Sequence, residues 1–333
     1  MQDVHLSPAK LRATLARFRR LRILVVGDLM LDEFIYGRVS RISPEAPVPV
    51  VHVEKETTFP GGAANVARNL AALGIHAELG GGIGRDESGT KLLSLLRHGK
   101  IGTTAIARFP SYPTIVKTRV LARQQQVVRV DREDPGRLTA RDRGAILQKT
   151  LRLLPKCDAL ILEDYGKGLF DQTFVDHLLE AAHRHGVPST VDPNVHNPLD
   201  WRGATLVKPN RLEAFGALGL PDSHQPADWI SVGEELLVNW SCQHLLLTLG
   251  EHGMILFQPG HKPHRIPSRA REVYDVSGAG DTAISLLAAG LGAGLSGLIS
   301  AELANLAAGI VVGKLGTATV TPAEILEASR RHG

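Results

Sequence analysis

One segment late in the chain, residues 275–282, combines glycines with a carboxylate immediately before a helical pattern. Its sequence is DVSGAGDT, and an Ala/Leu-rich run follows at 283–289. Glycines at a helix start let successive backbone N–H groups converge on an anion, and the helix dipole adds to the attraction. A carboxylate at that place suits a base that deprotonates a hydroxyl attacking a bound phosphate. The segment therefore predicts phosphoryl transfer, with Asp281 as the catalytic base.

The same segment is compatible with other interpretations. Asp281 could be a plain helix N-cap, since Asp is a favoured capping residue. Residues 278–283 also fit the dinucleotide fingerprint G-x-G-x-x-A, which would make the protein a dinucleotide-dependent oxidoreductase that binds NAD without turning over ATP. That motif lies late in the chain, without a clear strand–loop–helix–strand unit around it. A non-catalytic nucleotide sensor is a further alternative, against which Asp281 argues. The chain has no Gly-Lys followed by Ser or Thr, so a P-loop enzyme is not expected.

A second glycine-bearing segment, Gly61-Gly62-Ala63-Ala64-Asn65, begins another helical pattern. Two glycines allow close backbone approach, and the Asn65 amide offers both a donor and an acceptor to a polyhydroxylated ligand. Taken alone, a structural Gly-Gly helix start explains the segment equally well. Together with the first segment, contact with a sugar is the better interpretation.

The elements that must position these segments follow an alternating order of strand and helix. This alternation predicts a mostly parallel sheet with helices on both faces. In such folds ligands bind at the carboxyl ends of the strands, and polar residues follow several predicted strands: Asp28, Glu163, Asp164, Asp192, Asn194, Lys208, Asn210 and Thr248. Residues 80–84 are expected to form a glycine loop before a helix at 87–98. Two β-rich segments, about 36–59 and 113–131, predict a small exposed sheet outside the main one.

Length and composition set limits on the class of protein. The 333 residues carry a formal net charge of +4, with 43% hydrophobic and 22% charged residues, as in an ordinary soluble domain. The basic residues are scattered, so no nucleic-acid footprint is expected. Two isolated cysteines and an N-terminus without an apolar core region indicate a reduced cytoplasmic protein. The uncharged stretch at 282–301 is interrupted by glycines and serines, which predicts buried helices and no membrane partner.

The two glycine segments together resemble the signatures of the ribokinase-like (PfkB-type) carbohydrate kinases. The resemblance extends over nearly the whole chain and includes residues 82–89, 210–213, 247–250, Gly253 and the closing helix with Asn305. Residues 27–32 and 41–50 resemble one subgroup more specifically, the D-glycero-β-D-manno-heptose-7-phosphate kinases of lipopolysaccharide precursor synthesis. Residues 126–131 and 163–168 fit that subgroup too. The resemblance implies an α/β ribokinase-like three-layer α/β/α sandwich with a mostly parallel sheet plus a small β-sheet lid, with Mg²⁺ and ATP as cofactors.

Motif position within this family implies a role for each candidate residue. Asp281 is the base, and Gly278, Ala279 and Gly280 form the anion hole. The Mg-triphosphate is served by the segment Asn210, Arg211, Leu212 and Glu213, with Glu213 towards the metal. The nucleotide site is lined by Thr248, Gly250, Gly253 and Asn305. The sugar is held by Asp28, Asp32, Gly61, Gly62, Asn65, Asp164 and Asp192. Apart from motif position, the lid cations Lys117, Arg119 and Arg123 are candidates for the sugar's own phosphate, because Arg and Lys are the usual phosphate partners.

Some of these roles compete with structural explanations. Asn210 and Glu213 lie three residues apart at a predicted helix start, so they could equally form a capping pair. Ordinary exposed strand charges explain Lys117 and Arg119 nearly as well as phosphate binding does. Within the same class, another ribokinase-like sugar or nucleoside kinase is the main alternative.

The chain is interpreted as a single carbohydrate-kinase domain over residues 1–333. The lid strands have edges that invite pairing, so a homodimer through the lid is expected. Many members of the heptose subgroup carry a fused nucleotidyltransferase domain with an H-x-G-H motif. These 333 residues contain no such motif, so the second activity is not expected within them.

Overall fold

A computed structural model describes residues 7–123, 125–134, 138–270, 273–314 and 316–331. In these residues, two sheets and ten α-helices are present. The strands are β1 (Arg22–Gly27), β2 (Leu29–Ile42), β3 (Pro49–Gly62), β4 (His76–Gly84), β5 (Gly102–Phe109), β6 (Ile115–Ala122), β7 (Gln125–Arg132), β8 (Ala159–Glu163), β9 (Ser189–Asp192), β10 (Leu206–Val207), β11 (His244–Thr248), β12 (Met254–Phe257) and β13 (His264–Ile266). The helices are α1 (Pro8–Phe18), α2 (Ala63–Ala72), α3 (Glu87–His98), α4 (Ala140–Leu153), α5 (Gln172–Arg184), α6 (Arg211–Ala217), α7 (Pro226–Asn239), α8 (Ala279–Gly292), α9 (Gly297–Val311) and α10 (Pro322–Arg331).

The main sheet has the order β13-β12-β11-β10-β9-β8-β1-β4-β5. The pairs from β11 to β5 are parallel, while β12 and β13 continue the sheet in antiparallel fashion. Two apolar clusters flank this sheet, and they contain the buried sides of α1, α2, α3, α8 and α9 on one face and of α4, α5, α6 and α7 on the other. The three-layer α/β/α sandwich with a mostly parallel sheet is thereby confirmed.

The second sheet contains four strands in the order β3-β2-β6-β7. The β2–β3 and β6–β7 pairs are antiparallel, whereas β2 and β6 pair in parallel. The β2–β3 pair extends beyond the predicted segment 36–59, because β2 already begins at Leu29 and β3 ends at Gly62. Strands β6 and β7 stay close to the predicted bounds 113–131. Each of the two long strands therefore connects directly to the main domain beside the cleft. We refer to this second sheet as the lid.

The glycine run at 80–84 is the end of strand β4 rather than the predicted loop. The reason is packing: a side chain at Gly81 would come within 2.7 Å of the Gly27 carbonyl oxygen and of the Leu29 side chain. Glycine is therefore required for close approach inside a buried strand. The sequence pattern alone does not separate this case from a loop.

The uncharged stretch at 282–301 forms most of α8 and the first turns of α9, and most of its side chains are buried. A turn that includes Gly294 separates the two helices. In the part of the chain that the structure describes, no helix is both long and apolar enough to cross a membrane.

Candidate active site

A cleft of about 640 Å³ lies at the carboxyl edge of the main sheet. Its walls come from the segments that follow β8, β9, β10 and β11 and from the first turn of α8. A smaller cavity of about 240 Å³ adjoins it and shares Thr248, Gly250, Val276 and Gly280 with it. The polar residues predicted at the ends of β8 to β11 thus converge on one cleft, as parallel strands require, whereas Asp28 after β1 does not line it.

Asp281 is the third residue of α8, and its carboxylate is held by two donors at the cleft. The Asn65 amide nitrogen Nδ2 lies 2.5 Å from Oδ2, and the Tyr165 hydroxyl donates to Oδ1 at 3.0 Å. The N-cap position of α8 is Gly278, so Asp281 does not cap the helix. Burial raises the pKa of Asp281, while the donors Asn65 and Tyr165 oppose that rise. The carboxylate is therefore an oriented proton acceptor with an elevated basicity.

Tyr165 and Arg68 were not among the predicted site residues. The Tyr165 pKa is raised well above its ordinary value by burial and by the Asp281 charge, so its hydroxyl remains a donor. Arg68 donates to Asn65 Oδ1 at 2.9 Å. Because a guanidinium has donors only, this contact turns the amide so that Nδ2 faces Asp281. Arg68 lies one helical turn after Asn65, and this spacing is the only feature of the sequence that points to Arg68 as a site residue.

The anion hole predicted at Gly278, Ala279 and Gly280 is the N-terminal turn of α8 rather than a separate loop. Gly278 adopts φ +82° at the N-cap, which is a conformation that favours glycine. Ala279 and Gly280 already belong to the helix. The Ala279 N–H donates to the Val276 carbonyl at 3.3 Å, whereas the Gly280 N–H is among those left without a helical partner. A side-chain Cβ at Gly280 would lie 3.6 Å from Lys208 Nζ, which places this ammonium group beneath the helix start.

Lys208 forms the centre of a buried charge cluster on the cleft floor. Its Nζ lies 2.8 Å from Asp192 Oδ2. Burial by itself lowers the Lys208 pKa, but Asp192, Glu213 and Glu163 outweigh it and raise the pKa. Burial likewise raises the pKa of Glu213 to about 7 and that of Glu163 well above its ordinary range. The sequence alone identifies Lys208 and Glu163 only as polar residues at strand ends.

The fit of this cluster to Mg²⁺ depends on its oxygen donors. Among the described residues, no group of three His, Cys, Asp or Glu side chains is placed to hold a metal ion directly. Glu163 Oε2 nevertheless is buried and has no hydrogen-bond partner in the described residues. Mg²⁺ keeps several waters and needs only one or two carboxylates besides substrate phosphates. The carboxylates present fit a hydrated ion of that kind and do not form an all-protein cage.

Asn210 and Glu213 form the capping pair that was the structural alternative for them. Asn210 Oδ1 accepts the Glu213 N–H at 3.0 Å, and Glu213 Oε2 accepts the Asn210 N–H at 2.8 Å. Both residues also line the larger cavity. Arg211 lies beside them and pairs with Asp222 at 2.7 Å, while Leu212 is mostly exposed. The capping box thus holds the Glu213 carboxylate at the edge of the cleft.

The predicted nucleotide residues surround the smaller cavity. Thr248, Gly250, Gly253 and Asn305 all line it, with apolar side chains of α8 and α9 opposite. Gly253 has φ +82°, and a side chain there would overlap the Ile266 carbonyl oxygen. The Asn305 amide donates to the Pro267 carbonyl at 2.8 Å. The cavity is mostly apolar, which suits an aromatic base.

Two of the predicted sugar residues, Asp28 and Asp164, are hydrogen-bonded to the loop that follows β8. Asp28 is buried, and its Oδ2 accepts the N–H groups of Tyr165 at 3.1 Å and Lys167 at 3.0 Å. Burial raises the Asp28 pKa to about 6. Asp164 accepts from Gly166 N–H and from the Asn197 amide, and burial raises its pKa to about 7.

Gly61 and Gly62 bring the end of β3 against Asp28 and Asp32. A side chain at Gly61 would overlap the Asp32 carboxylate, and one at Gly62 would come within 2.5 Å of the Asp28 carbonyl oxygen. Asp32 pairs with Arg119 at 2.5 Å. Lys117, on the same face of β6, lies 3.2 Å from Asp131 and 3.5 Å from Glu133.

The sequence is similar to a family of known proteins and to individual members of known name. The family model for "pfkB family carbohydrate kinase" matches residues 20–324. The bifunctional protein HldE of Magnetococcus marinus is 44% identical over 313 residues, which are 93% of this chain and 64% of that protein. HldE of Pseudomonas aeruginosa is 46% identical over 322 residues, 97% of this chain and 66% of that protein. The chain thus spans 64% to 66% of the length of these relatives.

Solved structures agree in fold. A ribokinase from Arabidopsis thaliana, complexed with ribose and ATP, has a TM-score of 0.72 at 19% identity, and the match covers 93% of this chain and 99% of that one. At this level of identity, the similarity shows the fold alone.

Proposed function

The chain belongs to the pfkB family of carbohydrate kinases, and from that premise we propose that it transfers the γ-phosphoryl group of ATP to the anomeric hydroxyl of D-glycero-β-D-manno-heptose 7-phosphate. Family membership makes it a phosphotransferase that acts on a sugar hydroxyl. This membership excludes the alternative of a dinucleotide-dependent oxidoreductase. The product is the 1,7-bisphosphate of the heptose.

The observation that carries the mechanism is the Asp281 carboxylate, buried at the start of α8 between two donors. A sugar hydroxyl is a weak nucleophile while it keeps its proton. The Asp281 carboxylate accepts that proton as the bond to phosphorus forms. The first-turn N–H groups of α8 and the Lys208 ammonium lie beside it, where negative charge on the transferred group is stabilised.

The cleft divides naturally between the two substrates. The smaller cavity, with Thr248, Gly250, Gly253 and Asn305, takes the adenine. Residues 210–213 face the triphosphate, and Glu213 with Asp192 would hold the water shell of Mg²⁺. When bound, the ion supplies positive charge between the phosphates. Asp28, Asp32, Gly61, Gly62 and Asn65 contact the sugar from the lid side.

Two lines of support favour the heptose substrate. Residues 41–50 of the lid resemble the heptose-7-phosphate kinase subgroup, and the bifunctional HldE proteins are 44% and 46% identical to this chain. We place the reaction in the cytoplasm, in ADP-heptose and lipopolysaccharide core precursor synthesis. Another sugar phosphate within the same family is the alternative acceptor.

The test is a coupled assay of ADP release over a panel of acceptors. We expect the specificity constant for heptose 7-phosphate to exceed those for fructose, ribose and unphosphorylated heptose by at least about 10-fold, the lower end of the range for one lost charge-assisted phosphate contact. A larger specificity constant for ribose or fructose would reject the heptose assignment and leave the sugar kinase assignment intact.

A further inference from the structure

Two lysines from distant parts of the chain meet at one carboxylate beside the cleft. Lys167, in the loop after β8, places Nζ 2.7 Å from Glu133 Oε1. Lys117 of β6 places Nζ 3.5 Å from Glu133 Oε2 and 3.2 Å from Asp131. The two lysine side chains are only 18% and 13% exposed. The like charges of Lys117 and Lys167 are brought together only because each ammonium group contacts a different oxygen of the Glu133 carboxylate. The two lysines therefore form an anion site that Glu133 fills.

A short loop ties this anion site to the catalytic base. Tyr165 and Lys167 are separated by one residue, Gly166, which has φ +65°. Both of their backbone N–H groups donate to Asp28 Oδ2, so this carboxylate fixes the positions of the two residues relative to each other. At one end of the loop the Tyr165 hydroxyl binds Asp281, and at the other the Lys167 ammonium binds Glu133. A substrate that places a hydroxyl at Asp281 can therefore extend towards the lysines.

The other lid cation is engaged differently. The Arg119 guanidinium lies 2.5 Å from Asp32 and stacks 5.3 Å from the centre of the Phe34 ring. Asp32 belongs to the neighbouring strand of the same sheet, so this pair holds β2 to β6. Lys117 and Lys167 instead come from two separate structural units, and a ligand between them would bridge the lid to the main domain.

We propose that Lys117 and Lys167 bind the phosphate of the acceptor sugar, and that Glu133 occupies their site until that phosphate replaces it. The inference rests on the proposed function, because it assumes a phosphorylated acceptor. A phosphate monoester carries a charge of about −1.5 to −2 at pH 7 and three acceptor oxygens. Asp131 is shared between Lys117 and Arg129, so the phosphate replaces only Glu133 and brings more negative charge to the two lysines than that carboxylate does.

The experiment compares heptose 7-phosphate with unphosphorylated heptose in the Lys117→Met and Lys167→Met variants. Each variant should lose about 10- to 100-fold in kcat/KM for the phosphorylated sugar, the range of one charge-assisted hydrogen bond. The unphosphorylated sugar should be affected by less than about 3-fold, which is within an ordinary surface change. Lys91→Gln is the matched control, because Lys91 also reaches the lid, at Glu33, but remains 48% exposed.

A second variant tests the replacement step and leaves both lysines in place. Glu133→Gln removes the competing charge, so inorganic phosphate should inhibit this variant more strongly than the wild-type protein. The KM for heptose 7-phosphate should fall. A higher KM together with weaker phosphate inhibition would overturn the proposal, since Glu133 would then support the ligand rather than compete with it.

The outcomes separate this inference from the proposed function. If the wild-type protein shows no preference for the phosphorylated heptose, the proposed function fails. If the preference exists but the lysine variants lose activity on both sugars equally, the inference fails and the function stands. A selective loss in Arg119→Gln, with Lys167→Met unaffected, would also overturn the inference.

Discussion

At the scale of single residues, the environment of Asp281 decides the chemistry. Its carboxylate is buried, which raises its pKa, and it is oriented by Asn65 and Tyr165. Arg68 in turn orients the Asn65 amide. A base must be both oriented towards its proton and basic enough to accept it. The contacts of these four side chains meet both requirements.

The Asp281→Asn substitution keeps the size and polarity of the side chain but removes its ability to act as a carboxylate base. We expect turnover to fall by about 10²- to 10⁴-fold or more. ATP should bind as well as before or slightly more tightly, because a negative charge beside the triphosphate is lost. Steady-state turnover and calorimetric ATP affinity measure both effects, with Asp176→Asn on the exposed side of α5 as control. Near-normal turnover would eliminate Asp281 as the base.

Tyr165→Phe removes one donor from the Asp281 carboxylate and changes little else in size. The hydroxyl stabilises the charged form, so its loss should raise the Asp281 pKa further. The acidic limb of the pH profile of kcat/KM should therefore move to higher pH, and turnover at pH 7 should fall by about 2- to 12-fold. The same substitution in the Asp281→Asn background should have a much smaller effect. An unshifted acidic limb would show that Tyr165 does not act on the base.

At the scale of elements, the first turn of α8 is the part that serves both cavities. Gly280 borders the larger and the smaller cavity. Its absent side chain leaves room beside Lys208 and Asp192. We therefore propose that glycine is required here by the ligand rather than by the fold.

Gly280→Ala tests that distinction. A Cβ would meet Lys208 Nζ at 3.6 Å and Asp192 Oδ2 at 3.9 Å, which are ordinary contacts. The melting temperature should stay equal or rise, since Ala favours helix by up to about 1 kcal/mol over Gly. Turnover should fall by at least about 10-fold, since a methyl group at the reacting phosphate displaces it from its aligned position. Gly144→Ala in α4 is the matched control, because nothing lies within 4 Å of its Cβ position. Unchanged turnover in Gly280→Ala would contradict the anion-hole role.

At the scale of the whole molecule, buried carboxyl groups lie in and beside the cleft, and their ionised forms destabilise the folded state. Burial raises the pKa of Asp28 to about 6 and that of Asp164 and Glu213 to about 7. A raised carboxyl pKa means that the folded state binds protons more tightly than the unfolded state. The stability that these groups contribute is present below pH 4 and is lost as the pH rises through 6 to 7.

Asp28→Asn should remove part of this dependence. The folded pKa of about 6 exceeds the ordinary 3.8, so the free energy of unfolding of the wild-type protein should fall relative to that of the variant between pH 4 and pH 6. Urea unfolding of both proteins from pH 4.5 to pH 8 measures the difference. A difference that grows with pH in favour of the wild-type protein would contradict the raised pKa.

The lid predicts an assembly of two copies. Its outer strands are β3 and β7, and β7 exposes Val128 and Val130 on the face away from Lys117 and Asp131. Exposed apolar edge strands favour pairing, so we expect a homodimer by light scattering at micromolar concentration. Val128→Lys should shift it towards monomer, whereas Val238→Lys on exposed α7 should not. A strict monomer for the wild-type protein would contradict the lid-mediated dimer.

Local patterns in the sequence determined much of the architecture. The strand and helix alternation, the helix at 87–98 and the glycine segments before α2 and α8 all follow from burial periodicity, capping residues and glycine placement. The same patterns place Asp28, Asp192, Asn210 and Thr248 at the ends of parallel strands, whose carboxyl ends lie at one edge of the sheet. These signals are carried by neighbours in the chain, so they can be recognised without the fold.

Only the tertiary structure decided which side chains meet. Tyr165 lies 116 positions from Asp281 in the chain, and Asn65 lies 216 positions from it. The hydrophobic periodicity of the sequence does not predict these pairings, and it does not predict the contact of Lys117 and Lys167 with Glu133. Whether a glycine run is a loop or a buried strand, as in β4, likewise depends on what packs against it. Hydrogen bonds and charge pairs form across space, so the assembled sheet decides these contacts, while the chain order decides only the elements that carry them.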